Sequence, residues 1–504
     1  MWQRLTGYDV RVIGHYLGMM ILFSTVMYVP PLVLGVVFAE WEPAGRYLLA
    51  IGISLVVGSA LRFLRIEPGR LNRLQALVVT GLSWIVLALL ASIPLYSSGH
   101  YAAYLDAVFD GVSGLTTTGA ATIIDLDHLS YADNMFRFMM HLIGGLGLIV
   151  VALSLGLFGK GGTASLYDSE GRSEHVVPNI VQTTRFIARI ALIFILLATA
   201  VLTVLCLFAG MEPVRAFLHS LWLAISGFTT AGFAPMSENV MYYHSFPIEF
   251  VLMVLMIAGA INFILYLQVW KGHIEDFFKD IEIRTMVIWL MCIVCVFAAT
   301  LTMSTTFSDL PAMLRRGLFM VIAAFSTTGL QNITTNELTT VFTSGAFLVL
   351  AFIMAVGGGA GSTAGGIKFS RVGVIFLSII STVKETLAPD SARVVVTYNH
   401  VGRRTLSPDA VKDAMTVFLL FVITYSIGAL AGVAYGYEAT EAIFQSVAMA
   451  SNGGLSTIVS AGMPVPLEIF YIFEMWAGRL EFATFLALLF EIVVSLVPQR
   501  KVSR

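Results

Sequence analysis

The sequence predicts an all-α integral membrane protein, with four pseudo-symmetric helix–loop–helix units around one axis and two further helices at the N-terminus. Three observations lead there. Hydrophobic residues make up 58% of the 504 and charged residues only 12%, with a mean hydropathy of +0.86, which leaves no soluble domain of any size. Apolar runs repeatedly reach the roughly 20 residues that carry a helix across a bilayer. A short polar pattern built on Thr-Thr-Gly recurs four times in one register.

In chain order the apolar runs lie at about 12–38, 45–63, 74–96, 186–209, 248–270, 284–303, 413–435 and 467–497. The first is too long for the apolar core of a signal peptide and lacks a small-residue cleavage site, so it reads as a retained helix. The lysines and arginines sort by loop. Arg4, Arg11 and the basic residues of 62–73, 160–189, 271–284, 368–412 and 500–504 fall on one side, 23 of the 29. Arg46, Arg137, Arg215, Arg315 and Arg316 fall on the other, and Arg479 lies inside an apolar run. Because positive loops stay inside, both termini and the long basic loops are expected in the cytoplasm.

Several function classes fall away. A net charge of −2 offers nothing to a nucleic acid. The three cysteines sit in apolar segments, and Cys292 and Cys295 form a C-x-x-C without histidines nearby, so they read as packing residues. The nine histidines show no ligand spacing. Ser, His and Asp form no triad, and no phosphate-binding glycine loop stands at a strand–helix junction, so the chain is not read as an enzyme.

The fourfold pattern aligns on a glycine: L-T-T-T-G-A (115–120), F-T-T-A-G-F (228–233), F-S-T-T-G-L (325–330) and A-S-N-G-G-L (450–455). Seven residues before the first hydroxyl position stands an aromatic, Phe109, Trp222, Phe319 or Phe444. Three residues before it stands a small residue, Ser113, Ser226, Ala323 or Ala448. The units so defined cover 71–160, 183–275, 283–383 and 408–498, after a two-helix region at 1–70. In each, a long apolar helix precedes a segment too short to span (about 103–115, 213–228, 311–325 and 438–450), then the polar stretch, then another full-length apolar helix. The short segment begins and ends on the outer side and is therefore expected to be re-entrant.

Non-helical backbone at membrane depth is tolerated only where protein buries it or it lines a water-filled path. Carbonyls from four such loops can replace the water shell of a dehydrated cation. Glycine permits the backbone that turns them inward, and the short helices aim the negative ends of their dipoles at the same point.

With these stretches in view, the chain resembles the Trk/Ktr/HKT superfamily of cation transporters, and within it the bacterial Trk pore subunit. G-G-G-A-G-S-T-A-G-G-I-K (357–368) and G-R-L-E (478–481) are similar to that family's gating loop and last-repeat arginine, and the likeness covers roughly 70–500. The resemblance implies a potassium filter lined by Thr117, Thr118 and Gly119, by Thr230, Ala231 and Gly232, by Thr327, Thr328 and Gly329, and by Asn452, Gly453 and Gly454. Glycine at all four filter positions favours potassium over sodium. Loop four departs from the hydroxyl pattern at Asn452 and Gly453. The implied activity is potassium uptake across the inner membrane through a channel-like pore, with no organic cofactor; a sodium-selective or ion-coupled secondary transporter is the alternative. The implied partners are a second copy of the chain and a cytosolic, TrkA-type ring of nucleotide-binding regulatory subunits on the basic loops near 160–189, 271–284 and 381–412. Those loops would look the same if they served topology or anionic membrane lipid.

Some features occur once. Gly357, Gly358, Gly359, Gly361, Gly365 and Gly366, with Ser362 and Thr363 among them, fall in what would be the last long helix of unit three. Close helix packing, a lipid-facing kink and an unwound gate beneath the filter all compete for this run; six glycines in ten make continuous helix costly, at about 1 kcal/mol each relative to alanine. Arg479 should face the bundle interior, because a charge at mid-membrane costs at least about 2.5 kcal/mol. It is read either as the ion-pair partner of Glu474 or Glu481, or as a fixed positive charge below the filter. Asp106, Asp110, Asp125, Asp127 and Glu238 are expected near the outer mouth, as cation-concentrating charges or as helix caps. Lys368 and Arg371 are expected to anchor at the membrane interface.

Overall fold

Apolar composition becomes helix almost everywhere. The computed structural model describes residues 5–64, 71–147, 180–302, 310–333, 344–389, 391–480 and 482–496. Parts of the basic stretches at 62–73 and 160–189, the 500–504 tail and Glu481 lie outside these residues. Among the described residues, six helices are long and apolar enough to cross a membrane: Gly7–Val37, Trp41–Arg62, Leu74–Tyr96, Gln182–Phe208, Ile281–Thr300 and Pro408–Ala434. The protein is thus a multi-pass, all-α membrane protein. The first helix opens on a capping box, in which Thr6 Oγ1 accepts from the Asp9 N–H and Asp9 accepts from the Thr6 N–H. A 3-10 turn at Thr25–Tyr28 carries it into Val29–Val37.

Between the long helices stand four short ones: Tyr104–Leu115, Pro213–Phe228, Leu310–Phe325 and Ala439–Ala450. At 12 to 16 residues none can cross a bilayer. Phe109, Trp222, Phe319 and Phe444 are all buried, which fixes one face of each short helix in the bundle core. The last unit packs back on the first through the Trp476 indole N–H, which donates to the Gly81 carbonyl (3.0 Å).

The helices that follow the short ones differ from expectation, because none is continuous and full length among the described residues. Tyr131–Leu146 stops at Gly147, whose φ is +86°. The run at 248–270 is two helices, Phe246–Ala260 and Phe263–Trp270, meeting at 95°. Ser344–Ala355 gives way to a non-helical stretch before Phe369–Leu387. The run at 467–497 divides into Val465–Arg479 and Phe482–Leu496. Hydropathy averaged over a span does not resolve these breaks, since apolar residues resume beyond each, although the glycine-rich run marks the third and Gly478–Arg479 the fourth. At the second break Asn262 is the cause that can be named: its side chain accepts from the Ile264 N–H (3.0 Å) and caps a new helix.

The cysteines also need correction. Only Cys206 is buried; Cys292 and Cys295 are exposed on the outer face of Ile281–Thr302 and pack nothing inside. The described residues add one antiparallel hairpin, Thr397–Asn399 with Arg403–Thr405.

Candidate functional site

Each short helix ends in the same way. The N–H groups of Thr118, Ala231, Thr328 and Gly453 reach back five residues to the carbonyls of Ser113, Ser226, Ala323 and Ala448, at 2.9, 3.0, 2.9 and 2.7 Å. Such a closure needs a left-handed residue just past the helix, and Thr117, Thr230, Thr327 and Asn452 supply it with φ of +58°, +49°, +51° and +53°. Three of these are β-branched, for which that conformation costs about 1–2 kcal/mol. Two residues on, Gly119, Gly232, Gly329 and Gly454 turn positive again, at +86°, +87°, +81° and +65°. The same strained conformation thus recurs at four equivalent positions, a pattern that persists only where the surrounding structure imposes it.

The four loops meet head to tail. A Cβ added at Gly119 would overlap the Ala231 carbonyl oxygen, and one at Gly232 the Thr328 oxygen. At Gly329 it would come within 2.7 Å of the Gly453 oxygen, and at Gly454 it would overlap the Thr118 oxygen. Loop one therefore adjoins two, two adjoins three, three adjoins four, and four returns to one. On one side of the ring Gly119, Gly232 and Gly454 line an open cavity of about 370 Å³, together with Glu238 and Arg137.

On the other side, the first loop residues meet the glycine-rich stretch. This stretch is a loop, closed at its neck by the Gly357 N–H to Ile367 carbonyl bond (3.1 Å) and the Ile367 N–H to Ala355 carbonyl bond (3.0 Å). Gly358, Gly361 and Gly366 have φ of +61°, +70° and +69°, so continuous helix is ruled out. Thr363 is its hub. The Thr363 hydroxyl lies 2.9 Å from the Gly259 carbonyl oxygen, 3.1 Å from that of Phe228 and 3.0 Å from the Thr230 hydroxyl. The Gly365 N–H donates to Thr327 Oγ1 (2.8 Å). A Cβ on Gly365 would overlap the Ser451 carbonyl oxygen, so the loop also touches the fourth polar stretch (450–455). Ser362, Gly357 and Gly359 are buried in the same stretch, Gly359 donating its N–H to the Ala260 carbonyl (2.8 Å).

Arg479 completes this layer. Its guanidinium donates to Thr117 Oγ1 (3.2 Å), to the Thr363 carbonyl (3.0 Å) and to the Gly144 carbonyl, and stands 5.5 Å from the centre of the Trp84 ring. Pairing with Glu474 is not found: that carboxylate accepts instead from Ser446 (2.7 Å). Lys368 is also corrected, being buried with Nζ on the Ala364 carbonyl (2.5 Å) rather than at an interface. Asn452, the departure in loop four, donates to Thr118 Oγ1 and to the Met475 carbonyl, both at 2.9 Å, and so links loop four to loop one.

The acidic residues divide. Asp110 is buried and accepts from the Thr122 N–H (2.7 Å) and Tyr101 Oη (3.1 Å), Asp106 caps its helix at the Ala103 N–H (2.9 Å), and Asp127 accepts from the Ser237 N–H (2.8 Å). These three hold loops in place; Glu238 lines the cavity.

One set of residues escapes a reading of the loops alone. Gly144, Gly259 and Gly478 lie where a Cβ would overlap the carbonyls of Leu115, Phe228 and Ala450, the last residues of three short helices, and Gly357 lies near the fourth, that of Phe325. A signal existed, a glycine about 30 residues after the end of each short helix, but it emerges only once the loops are aligned. Asn262 left no signal beyond a lone polar residue within an apolar run, and Glu282 none beyond one charge among several that precede the next run.

Comparison with known proteins accords with this architecture. The family model described as TrkH, cation transport protein, matches residues 46–502. The chain is 29% identical to an uncharacterized cation transporter of Methanocaldococcus jannaschii, with 96% of each chain covered. It is 28% identical to the Trk system potassium uptake protein TrkH of Escherichia coli K12, over 95% of this chain and 98% of that one. The crystal structure of the potassium transporter TrkH from Vibrio parahaemolyticus superposes with a TM-score of 0.80 at 23% identity, covering 95% of this chain and 98% of that one, and shares its fold. The chain belongs to the TrkH family of cation transport proteins.

Proposed function

We propose that this protein is a potassium uptake pore of a Trk system, conducting in channel-like fashion across the inner membrane with both termini in the cytoplasm. The observation that carries the reading is the head-to-tail closure of four loops with one backbone conformation. In it, the carbonyls of 117–119, 230–232, 327–329 and 452–454 form the filter and take over the water shell of the cation. The cavity beside Gly119, Gly232 and Gly454 is the outer vestibule. The loop at 357–366, bonded across the opposite side, is the gate in its closed position, and Arg479 sets a positive barrier beside it.

Potassium is the cargo, and the Escherichia coli relative, a Trk system potassium uptake protein, supports that choice of ion. The protein works as a homodimer in contact with membrane lipid, and a cytosolic ring of nucleotide-binding subunits docks on its basic loops to move the gate.

Flux into liposomes tests the proposal. Rubidium and potassium should enter the reconstituted protein down their gradients, with sodium competing poorly. A preference for sodium, or strict dependence on a second co-transported solute, would overturn it.

A further inference from the structure

Away from the ring, a buried polar cluster joins three parts of the chain. Asp280 and Glu282 open the helix Ile281–Thr302, and His400 comes from the turn of the 397–405 hairpin; the three residues are 1%, 2% and 5% exposed. Their ligand-type atoms lie within 4.8 Å of one another. A metal site is nevertheless the poorer reading, because each of the four carboxylate oxygens already faces a protein donor. Asp280 Oδ1 accepts from the Glu282 N–H (2.9 Å) with His400 Nδ1 at 3.3 Å, and Asp280 Oδ2 accepts from the Val401 N–H (3.0 Å). Glu282 Oε1 accepts from the Ala360 N–H (2.7 Å) and Oε2 from Asn262 Nδ2 (3.1 Å). The order of these bonds is informative: hairpin, Asp280, Glu282, glycine-rich loop.

We infer that Glu282 is a positioning residue of the gate, and that Asp280 ties its placement to the cytoplasmic hairpin, so that displacement of the hairpin releases the loop. The inference rests on reading 357–366 as the gate. The Ala360 N–H lies at the tip of that loop, and Glu282 holds it from outside the ring, independently of Thr363 and Arg479. A carboxylate is suited to this place: it sits in the first turn of its helix, where the N-terminal dipole favours negative charge, and a charged acceptor makes the stronger hydrogen bond. The same carboxylate holds Asn262, which caps the helix beginning at the 95° bend, so loop and bend are fixed by one side chain. The hairpin is a natural handle. Val401 and Gly402 shape its turn with φ of +51° and +132°, and Arg403 and Arg404 are exposed on it for an anionic surface to engage.

The test uses Ala360→Cys, which keeps the backbone N–H, in the full chain with Cys206, Cys292 and Cys295 replaced by serine. Labelling by a membrane-impermeant maleimide on the hairpin side and rubidium flux are both measured. Glu282→Gln puts an amide donor against one of two donors, and Asp280→Asn does the same one step away without touching the loop. Each should raise labelling about tenfold, the factor carried by one charge-assisted hydrogen bond. Flux should rise with it, the rubidium-to-sodium ratio should stay fixed, and the double variant should exceed neither single. His400→Gln, which alters only the tie to the hairpin, should raise both by a smaller factor and serves if the others misfold. Folded variants with unchanged labelling and flux would overturn the inference. If Thr363→Val raises flux and these variants do not, only this inference fails; if none of them moves flux, the gate reading fails as well.

Discussion

Gly119 shows how backbone, rather than side chain, decides the chemistry of this ring. Its φ of +86° excludes most residues, and a Cβ there would run into the Ala231 carbonyl of the next loop. Serine at this position therefore cannot add a ligand without shifting that carbonyl, which is itself part of the proposed filter. Gly119→Ser forces the backbone of Ala231 and Gly232 to shift, and it should erode the preference for potassium over sodium about tenfold or more, a change of roughly 1.4 kcal/mol in relative binding. Competition of sodium with rubidium uptake measures it; unaltered selectivity in folded protein would mean that loop one is outside the filter. The glycines were legible in the sequence because register aligned them. The left-handed Thr117, Thr230 and Thr327 were legible as hydroxyls, whereas the structure uses them mainly as backbone, with side chains turned towards Arg479, Thr363 and Gly365. A residue-type reading cannot foresee that reversal, because threonine rarely adopts φ near +50°.

At the scale of elements, legibility follows what the apolar pattern records. The short helices could be bounded from the sequence to within a residue or two, because polar loops and turns flank them. The break after Ala260 is marked only by Asn262 in a run of leucine, isoleucine and phenylalanine, whereas the break after Arg479 falls at Gly478 and Arg479, which the sequence shows but which residue type alone does not turn into a helix end. The glycine-rich stretch was the exception, its composition being incompatible with helix, but its three alternatives could be narrowed only by hydrogen bonds. Those bonds converge on Thr363, which contacts carbonyls of two other elements, Gly259 and Phe228, and the hydroxyl of Thr230. Thr363→Val keeps the volume and removes the donor. It should weaken the loop's hold by the 1–3 kcal/mol typical of a buried acceptor left without its donor, so the resting rubidium flux should rise several-fold while the potassium-to-sodium ratio stays fixed. Lower flux with intact folding would show that Thr363 supports conduction rather than closure.

The whole molecule closes where its last unit meets its first, and side chains of three residues in the last unit bond across that seam: Asn452 to Thr118, the Trp476 indole to Gly81, and Arg479 to Thr117 and Gly144. Arg479 is distinctive among them because it also holds the unit-three loop through the Thr363 carbonyl. One guanidinium on unit four thus bonds units one and three, using the planar array of donors that lysine lacks. Two roles can be separated. If Arg479 matters as a charge, Arg479→Lys should keep most of the barrier; if it matters as a fork, lysine should behave almost like alanine. The geometry favours the fork for the loop and the charge for the cation, so two readouts should diverge. Arg479→Ala should raise rubidium flux about tenfold or more, having lost both. Arg479→Lys should raise it less, yet expose a cysteine at position 360 to labelling as fully as alanine does. Liposome flux and maleimide labelling on the same preparations measure both, with thermal stability as the folding check, since three carbonyl or hydroxyl partners lose their donor. Unchanged flux in folded Arg479→Ala would remove the barrier role, and lysine matching wild type in labelling would show that the seam needs only a positive charge.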